Sequence, residues 1–474
     1  MADEYDAVVV GAGPNGLSAA LTLARSGLRV LILEGHDTPG GGTRTSALTL
    51  PGFAHDVCSA IHPLGVGSPY FRTLPLAEHG LAWLYSPAAV AHPFDDGSAV
   101  TLERSVADTA AQLGADGPAY ARLMNPLVAN FDELTEMILG PLRFPKSPFL
   151  LARFGLSAIR SAEGLVRGRF AGHGARALIA GIAAHAMLPL DQLASASFGL
   201  VLGMAGHAVG WPLPRGGSQG IATALTSCLA EHGAELVTGH AVQSLRQLPR
   251  ARAYLFDVTP RQLLALVGER LPARYRRRLE RFRYGPGSYK IDWALSAPIP
   301  WKSEACRRAA TVHVGGTLDE IMASEAAVSA GNVPERPFVL VTQPSLFDDT
   351  RAPAGMHTAW GYCHVPHGST ESVRERIEAQ IERFAPGFRD VILARHERTA
   401  AGLERYNPNY VGGDINGGLA SLMQLFFRPV FRLDPYSTPA RDIYLCSSST
   451  PPGGGVHGMC GYWAARSVLG RLFR

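Results

Sequence analysis

Six cysteines (58, 228, 306, 363, 446 and 460) are spread over 474 residues, and no two are spaced as CxxC. That argues against a dithiol redox centre and a zinc ribbon, and fits reduced thiols in a cytoplasm. An excess of one charge is missing too. Against 40 acidic side chains stand 44 basic ones, a formal charge of +4, too near balance to point to nucleic acid. No clean membrane span is present. The nearest approach is Ala194–Trp211, ASASFGLVLGMAGHAVGW. Its glycine interruptions, His207 and the lack of flanking basic clusters predict a buried helix pair, with a surface that dips into a bilayer as the lesser alternative. The first residues, MADEYD, are acidic and run straight into a strand, so no secretory signal is read there. A metal site is not expected either. His364-x-x-His367 has the residue types, but it lies on a strand-to-loop segment with no third ligand at matching spacing. The length exceeds one compact core and suits two or three domains.

What is present is concentrated in Tyr5–Glu34, YDAVVVGAGPNGLSAALTLARSGLRVLILE. Ala7–Val10 is a short β-branched run that reads as a strand once the glycines after it are counted. Gly11, Gly13 and Gly16 form GxGxxG. The first allows a tight bend, the second a close backbone approach to pyrophosphate, and the third close packing of helix on sheet. Leu17, Leu21 and Ala24 follow at helical spacing, with Gly27 as a stop. Arg29–Leu33 is a second strand, and Glu34 stands 18 residues after Gly16, where an acid accepts hydrogen bonds from an adenosine ribose. The whole unit points to a dinucleotide.

Asp37–Thr43 continues into a second glycine-rich loop, and PGFAHDVCSAIHP follows at residues 51–63. GAGPNG, Glu34, PGGGTRT and that segment together resemble the start of phytoene desaturase-like and flavin-containing amine oxidase proteins. Many of those carry Arg directly after the paired glycines; here Gly42 stands there and Arg44 follows two places on. Near the other end, the Asp442–Cys446 strand, the loop Ser447–Gly461 and the helix Tyr462–Leu472 resemble the family's C-terminal flavin segment, with Thr450, Pro452, Gly453, Gly455, Gly458 and Gly461 matching. A glycine-dense loop entering a helix also presents free N–H groups. Many amine oxidases carry an acid near Ser448–Ser449, and its absence favours the desaturase-like branch. Pyridine nucleotide-disulfide oxidoreductase domain-containing proteins lie close by in the same resemblance.

The resemblance implies an α/β fold: a Rossmann-type FAD-binding domain of the glutathione-reductase/amine-oxidase kind, discontinuous over 1–80, 205–285 and 435–474. A mixed-sheet and helical substrate domain would fill 81–204 and 286–434. It implies FAD contacts from Gly11, Gly13, Pro14, Asn15, Gly16, Glu34 and Gly35, then from Gly41, Gly42 and Thr43. Val242 would meet the adenine from a strand over Ala241–Leu245. Ser449, Gly455, Val456, His457, Gly458 and Met459 would line the flavin. Pro212–Gly220 should open a helix over Ile221–His232. Ser369–Phe384 reads as an amphipathic helix with Ser372 and Glu375 as a capping box. Leu271–Arg283 (LPARYRRRLERFR) reads as a solvated basic helix, with phosphate or anionic lipid as the functional alternatives. Tyr406–Asp414 is a polar, aromatic loop that reads as turn chemistry, with a place over a substrate cavity as its functional alternative.

Lys290 interrupts an apolar strand that begins near Ser288. By composition it would face solvent or pair with an acid. GPGSYKIDWALSAPIPW, with Trp301 downstream, resembles the amine oxidase segment whose lysine reaches flavin N5 through water. That resemblance makes Lys290 the catalytic candidate. The expected function is FAD-dependent hydride transfer, or flavin-assisted isomerisation, on a lipophilic small molecule, which the apolar 150–211 region suggests. The expected location is cytoplasmic, with peripheral contact at a membrane as an option. An amine oxidase and a non-catalytic FAD-binding scaffold are the alternatives. An aromatic cage would mark the first; flavin that no donor reduces would mark the second.

Overall fold

A computed structural model describes residues 4–473; the first three residues of the acidic MADEYD stretch lie outside them. Among the described residues, five strands form a parallel sheet in the order Ile443–Leu445, Ala251–Phe256, Tyr5–Val10 (β1), Val30–Leu33 (β2), Glu235–Val237. β1 is in the middle, with Val10 opposite Phe256 on one side and Leu33 on the other. A strand with neighbours on both edges and helices on the faces must be apolar where it is buried, and Ala7–Val10 of β1 is AVVV, while Asp6 before it is half-buried and accepts Arg29 N–H. The helix Pro14–Ala24 (α1) packs between Met459–Leu472 and Gln219–Glu231. Its contact with the C-terminal helix is backbone-close: a Cβ at Gly461 would stand 1.8 Å from the Asn15 carbonyl oxygen, and one at Gly458 2.2 Å from Ser18 Oγ. The C-terminal glycines therefore seat the last helix directly on the fingerprint helix.

A second, seven-stranded sheet runs Ile392–Arg398, Gly287–Leu295, His357–Val365, Val339–Thr342, Ala309–Val314, Ala88–Pro93, Ala99–Glu103. All its pairs are antiparallel except Ala309–Val314 with Ala88–Pro93. Strand Gly287–Leu295 is buried along its full length. Its period-2 alternation decides what each face holds. Tyr289, Ile291 and Trp293 pack under the helix Arg374–Phe384 with Ile377, Ile381 and Phe384. Ser288, Lys290 and Asp292 are left on the opposite face.

Helices between residues 117 and 208 cover one end of this sheet around a shared core. The apolar stretch of the sequence is the helix Ser195–Ala208, packed against His173–Ala183. Its glycines mark close approaches. A Cβ at Gly199 would stand 3.2 Å from Ala183 Cβ, one at Gly203 3.1 Å from Met124 Cε, and one at Gly206 2.5 Å from Leu102 Cδ2. Among the described residues no helix is long and apolar enough to cross a membrane.

Three local expectations are corrected. Ala241–Leu245 forms no strand; the chain runs irregularly to a 3-10 turn at Leu245–Gln247, because His240 N–H bonds the Glu34 carbonyl and the segment lies across the end of the sheet. The helix expected from Ser369 begins at Arg374. The Ser372–Glu375 capping box does not form, since Ser372 Oγ donates to Glu397 on the neighbouring strand instead. The helix after Gly220 begins at Gln219, where Ser218 and Gln219 N–H groups are already taken by Asp56 and Thr45.

Candidate active site

β1 delivers the chain into a turn that only glycine tolerates. Gly11 has φ +103°, and a Cβ on Gly16 would stand 2.0 Å from the Gly11 carbonyl oxygen. The second loop closes over the first: Gly40 N–H bonds the Ala12 carbonyl at 2.8 Å, and a Cβ on Gly41 would stand 3.1 Å from Gly13 Cα. Thr43 is buried and its hydroxyl donates to the Gly40 carbonyl. Arg44 does not reach out of this loop. Its guanidinium bonds the Thr38 and Gly41 carbonyls and pairs with Glu34 at 3.0 Å, so it braces the turn. Glu34 accepts from Ala12 N–H at 2.7 Å and His36 N–H at 2.9 Å as well. A carboxylate offers about four acceptor positions, so one remains. Gly35 lies beside Ala241, 3.4 Å from where a Cβ would be, which brings neighbouring Val242 alongside the Glu34 corner.

Asp257 joins this cradle and was not expected from the sequence. It follows the strand Ala251–Phe256, is buried, and accepts Gly16 N–H at 3.0 Å through Oδ2. Burial pushes its carboxyl up to about 7, against the pull of the Gly16 and Gly13 N–H groups and with a push from Glu34. The signal that could have found it is an acid at the C-terminal end of a strand next to the fingerprint strand, the edge where ligands of such sheets bind. Asn409 donates to the Asp257 carbonyl at 2.9 Å, which ties the aromatic 406–414 loop to the cradle.

One cavity of about 310 Å³ gathers Pro14, Asn15, Gly42, Gly455, Val456 and Lys290. Tyr410, Cys58, Trp360 and Tyr362 share its wall. Tyr410 roofs Gly42: a Cβ there would stand 2.3 Å from its hydroxyl. Asn15 Nδ2 donates to Ser448 Oγ at 3.2 Å, and its Oδ1 is buried without a partner. Gly455 has φ +126° and Gly458 φ +67°. The remaining C-terminal candidates do not line this cavity, and His457 lines the larger one beside it. Ser449 Oγ donates to the Gly417 carbonyl, Met459 sits in the core beneath α1, and His457 Nδ1 accepts Met459 N–H while its Nε2 stays unpaired.

Lys290 lines this cavity and is also paired with an acid. Its Nζ donates to Asp292 on the same face of the strand, and Trp360 lies 5.5 Å away. The chain has only three lysines, at 146, 290 and 302, so a buried one is a marked position. His55 and His396 approach the same carboxylate at 3.7 and 3.5 Å. Burial pushes Asp292 up, and Lys290 with the two histidines more than offsets it, holding the carboxyl below its ordinary value. His55 is pushed down to about 4 by burial. The group is a fixed ammonium–carboxylate pair with a neutral imidazole beside it.

A larger cavity of about 790 Å³ meets the first at Leu64, His185, Leu202, Tyr362 and Gly455. Its walls come from Met137–Arg143, the helix Pro148–Ala158, the helix Ser195–Ala208 and the helix Leu422–Phe427. His185 stands at the junction with Nε2 3.2 Å from His313 Nε2, and burial pushes it down to about 3, so it is a neutral imidazole. No carboxylate lines either cavity among the described residues. The two candidate metal histidines are engaged separately, His364 with Glu325 at 2.9 Å and His367 with the Gly285 carbonyl at 2.8 Å.

The glycine cradle and the α1 N-terminus free of acidic residues in its first turn suit a dinucleotide diphosphate, and the orphaned Asn15 Oδ1, an acceptor, suits a hydroxyl or N–H of the same ligand. Residues 9–74 match the family model of an NAD(P)-binding Rossmann-like domain. Pyridine nucleotide-disulfide oxidoreductase domain-containing protein 2 of Rattus norvegicus is 27% identical, covering 98% of this chain and 93% of that protein. An oxidoreductase from Methanosarcina mazei has the same fold, with a TM-score of 0.67, 17% identity and coverage of 98% and 99%. Cyclohexylamine oxidase from Brevibacterium oxydans does too, with a TM-score of 0.61, 15% identity and full coverage of both chains.

Proposed function

We propose that this chain, an FAD-dependent oxidoreductase of the amine oxidase and desaturase superfamily, oxidises, desaturates or isomerises a neutral lipophilic molecule. One observation carries the reading. A large apolar cavity without a carboxylate opens into the smaller one walled by the nucleotide-loop residues and Lys290. An apolar chain in the first places one of its carbons in the second, and loses water contact on the way.

The residues divide the work as follows. The Gly11–Gly16 turn, with Gly41–Thr43 closing over it, would hold the diphosphate on the α1 N–H groups. Glu34, Gly35 and Val242 would hold the adenosine end. Gly42, Gly455, Val456 and the Tyr410 hydroxyl would wall the isoalloxazine. Bound FAD would supply the redox chemistry, taking or giving a hydride. Lys290 would offset negative charge that accumulates there on reduction, in a site where little water screens it. Asp292 keeps that ammonium aimed across the strand. Neutral His185, with Tyr362 and Asn416 beside it on the walls of both cavities, would orient a substrate oxygen or π-bond at the junction.

The amine oxidase alternative expects two aromatic rings facing one another across the site. Trp360 and Tyr362 alternate on one strand with centroids 5.6 Å apart and planes 31° apart, neighbours on one wall. The test is anaerobic bleaching of the bound flavin by two donor series of matched length, neutral unsaturated lipids and primary amines. Bleaching by the neutral series supports the reading. Bleaching by amines alone, or by no member of either series when dithionite bleaches it fully, overturns it.

A further inference from the structure

The larger cavity opens through an unusual rim. Phe144 and Phe149 are 91% and 92% exposed, Leu156 76%, Phe431 67% and Leu433 100%. They stand on two segments, 142–159 and 423–433, that supply the cavity with Leu142, Leu156, Ile159 and Phe426. Isolated exposed apolar residues are ordinary, but bulky tips grouped around one opening mark an interaction site.

Beside this rim lies the basic helix Ala273–Glu280. Tyr275 and Leu279 face inward, and Arg274, Arg276, Arg277, Arg278, Arg281 and Arg283 are exposed. Among the described residues none of these six takes part in an ion pair, whereas Arg29, Arg72, Arg167, Arg261, Arg270 and Arg308 elsewhere on the surface do. The helix is tied to the rim: Arg432 lies 5.7 Å from the Tyr275 ring, Arg283 donates to Ser421 Oγ at 3.2 Å, and Gln424 donates to the Arg283 carbonyl at 2.9 Å.

We propose that this face docks on an anionic lipid bilayer. Phe144, Phe149, Phe431 and Leu433 enter the boundary between headgroups and acyl chains, and the unpaired arginines take the phosphates. Three features favour a lipid surface over a protein. The apolar groups are bulky and largely exposed. The uncompensated positive charge is complementary to anionic headgroups. The same two segments line the larger apolar cavity through Leu142, Leu156, Ile159 and Phe426, so a layer of acyl chains against them is continuous with that cavity. The docking is independent of the chemistry proposed above, because its readout is binding alone.

The test is flotation of the FAD-loaded chain with vesicles of phosphatidylcholine, or of phosphatidylcholine mixed with phosphatidylglycerol. Binding is expected to the mixed vesicles and to weaken with added salt. Each arginine near the surface contributes about fivefold in affinity, so Arg274→Gln with Arg277→Gln and Arg278→Gln should lose about 100-fold. Phe144→Ser with Phe149→Ser should lose at least about tenfold, from the apolar area no longer buried in lipid. All five positions are exposed, so flavin content and melting temperature should not change. Failure of the wild type to float with mixed vesicles would overturn the proposal, as would variants that float as well as the wild type. Concentration-dependent dimerisation abolished by the phenylalanine substitutions, with flotation unaffected, would assign the face to a second copy of the chain instead.

Discussion

Replacing Asp257 with Asn tests the cradle without disturbing its shape. The side chain keeps its length and an oxygen for Gly16 N–H, and loses only its ionisable proton. In the folded chain burial pushes this carboxyl up to about 7, whereas an ordinary aspartate titrates at 3.8. The folded state therefore holds a proton that the unfolded chain has released, and the effect on stability is negative as pH rises through that window. At 1.36 kcal/mol per pH unit of difference, raising the pH from 4 to 8 should cost the wild-type apoprotein about 4 kcal/mol that Asp257→Asn does not lose. The same charge bears on the cofactor. FAD brings a doubly negative diphosphate to the N–H groups that Asp257 occupies, so tight binding favours the protonated acid. Above pH 7 the wild-type dissociation constant should weaken by up to about tenfold per pH unit, and that of the variant should stay nearly flat. Flavin fluorescence quenching from pH 6 to 9 measures the second quantity, and urea unfolding of the apoprotein the first. Parallel pH profiles for the two proteins, in either measurement, would refute the assignment of a buried, proton-binding carboxylate to the diphosphate loop.

Lys290→Met leaves the buried Asp292 carboxylate without its ammonium and should lower stability by about 3–5 kcal/mol; in the folded, FAD-loaded variant it should slow flavin reduction or reoxidation by about 10- to 1000-fold in stopped flow, the loss that follows removal of one electrostatic group. Unchanged rates in both half-reactions would make Lys290 a structural partner of Asp292. Gly16→Ala should yield protein without bound flavin, because its Cβ would stand 2.0 Å from the Gly11 carbonyl oxygen; a yellow, soluble variant would contradict the close approach. Arg351→Met should destabilise by about 3–5 kcal/mol in urea, since the fully buried Arg351 pairs with Asp56 at 2.6 Å and leaves that carboxylate uncompensated when removed. Iodoacetamide at pH 8 should leave Cys306 and Cys460 of the native chain unmodified, as burial pushes both thiols up to about 12; fast labelling of Cys460 without unfolding would disprove this.

The dinucleotide unit can be read from consecutive residues alone. Gly11, Gly13 and Gly16 are constraints on local backbone, a positive φ here and a missing Cβ there, and such constraints are written into consecutive residues. The same holds for the glycines at 455, 458 and 461, whose matches located the helix that seats on α1. Lys290 was legible as an anomaly because a strand exposes its period-2 pattern in the chain itself. What those residues face depends on how the chain packs. Asp257 reaches Gly16 across 241 positions, and Arg351 reaches Asp56 across 295. Lys290 acquired both of its expected fates, an acid partner and a cavity wall, because the sheet turns Asp292 and the nucleotide loop toward it together. The Ser372 cap and the strand at 241–245 failed for the converse reason. Local signals lost to stronger partners, Glu397 and the Glu34 carbonyl, that only folding brings near. The apolar rim and the arginines beside it are separated by more than 100 residues, so no window of sequence contains both, and their joining into one face is a property of the fold alone.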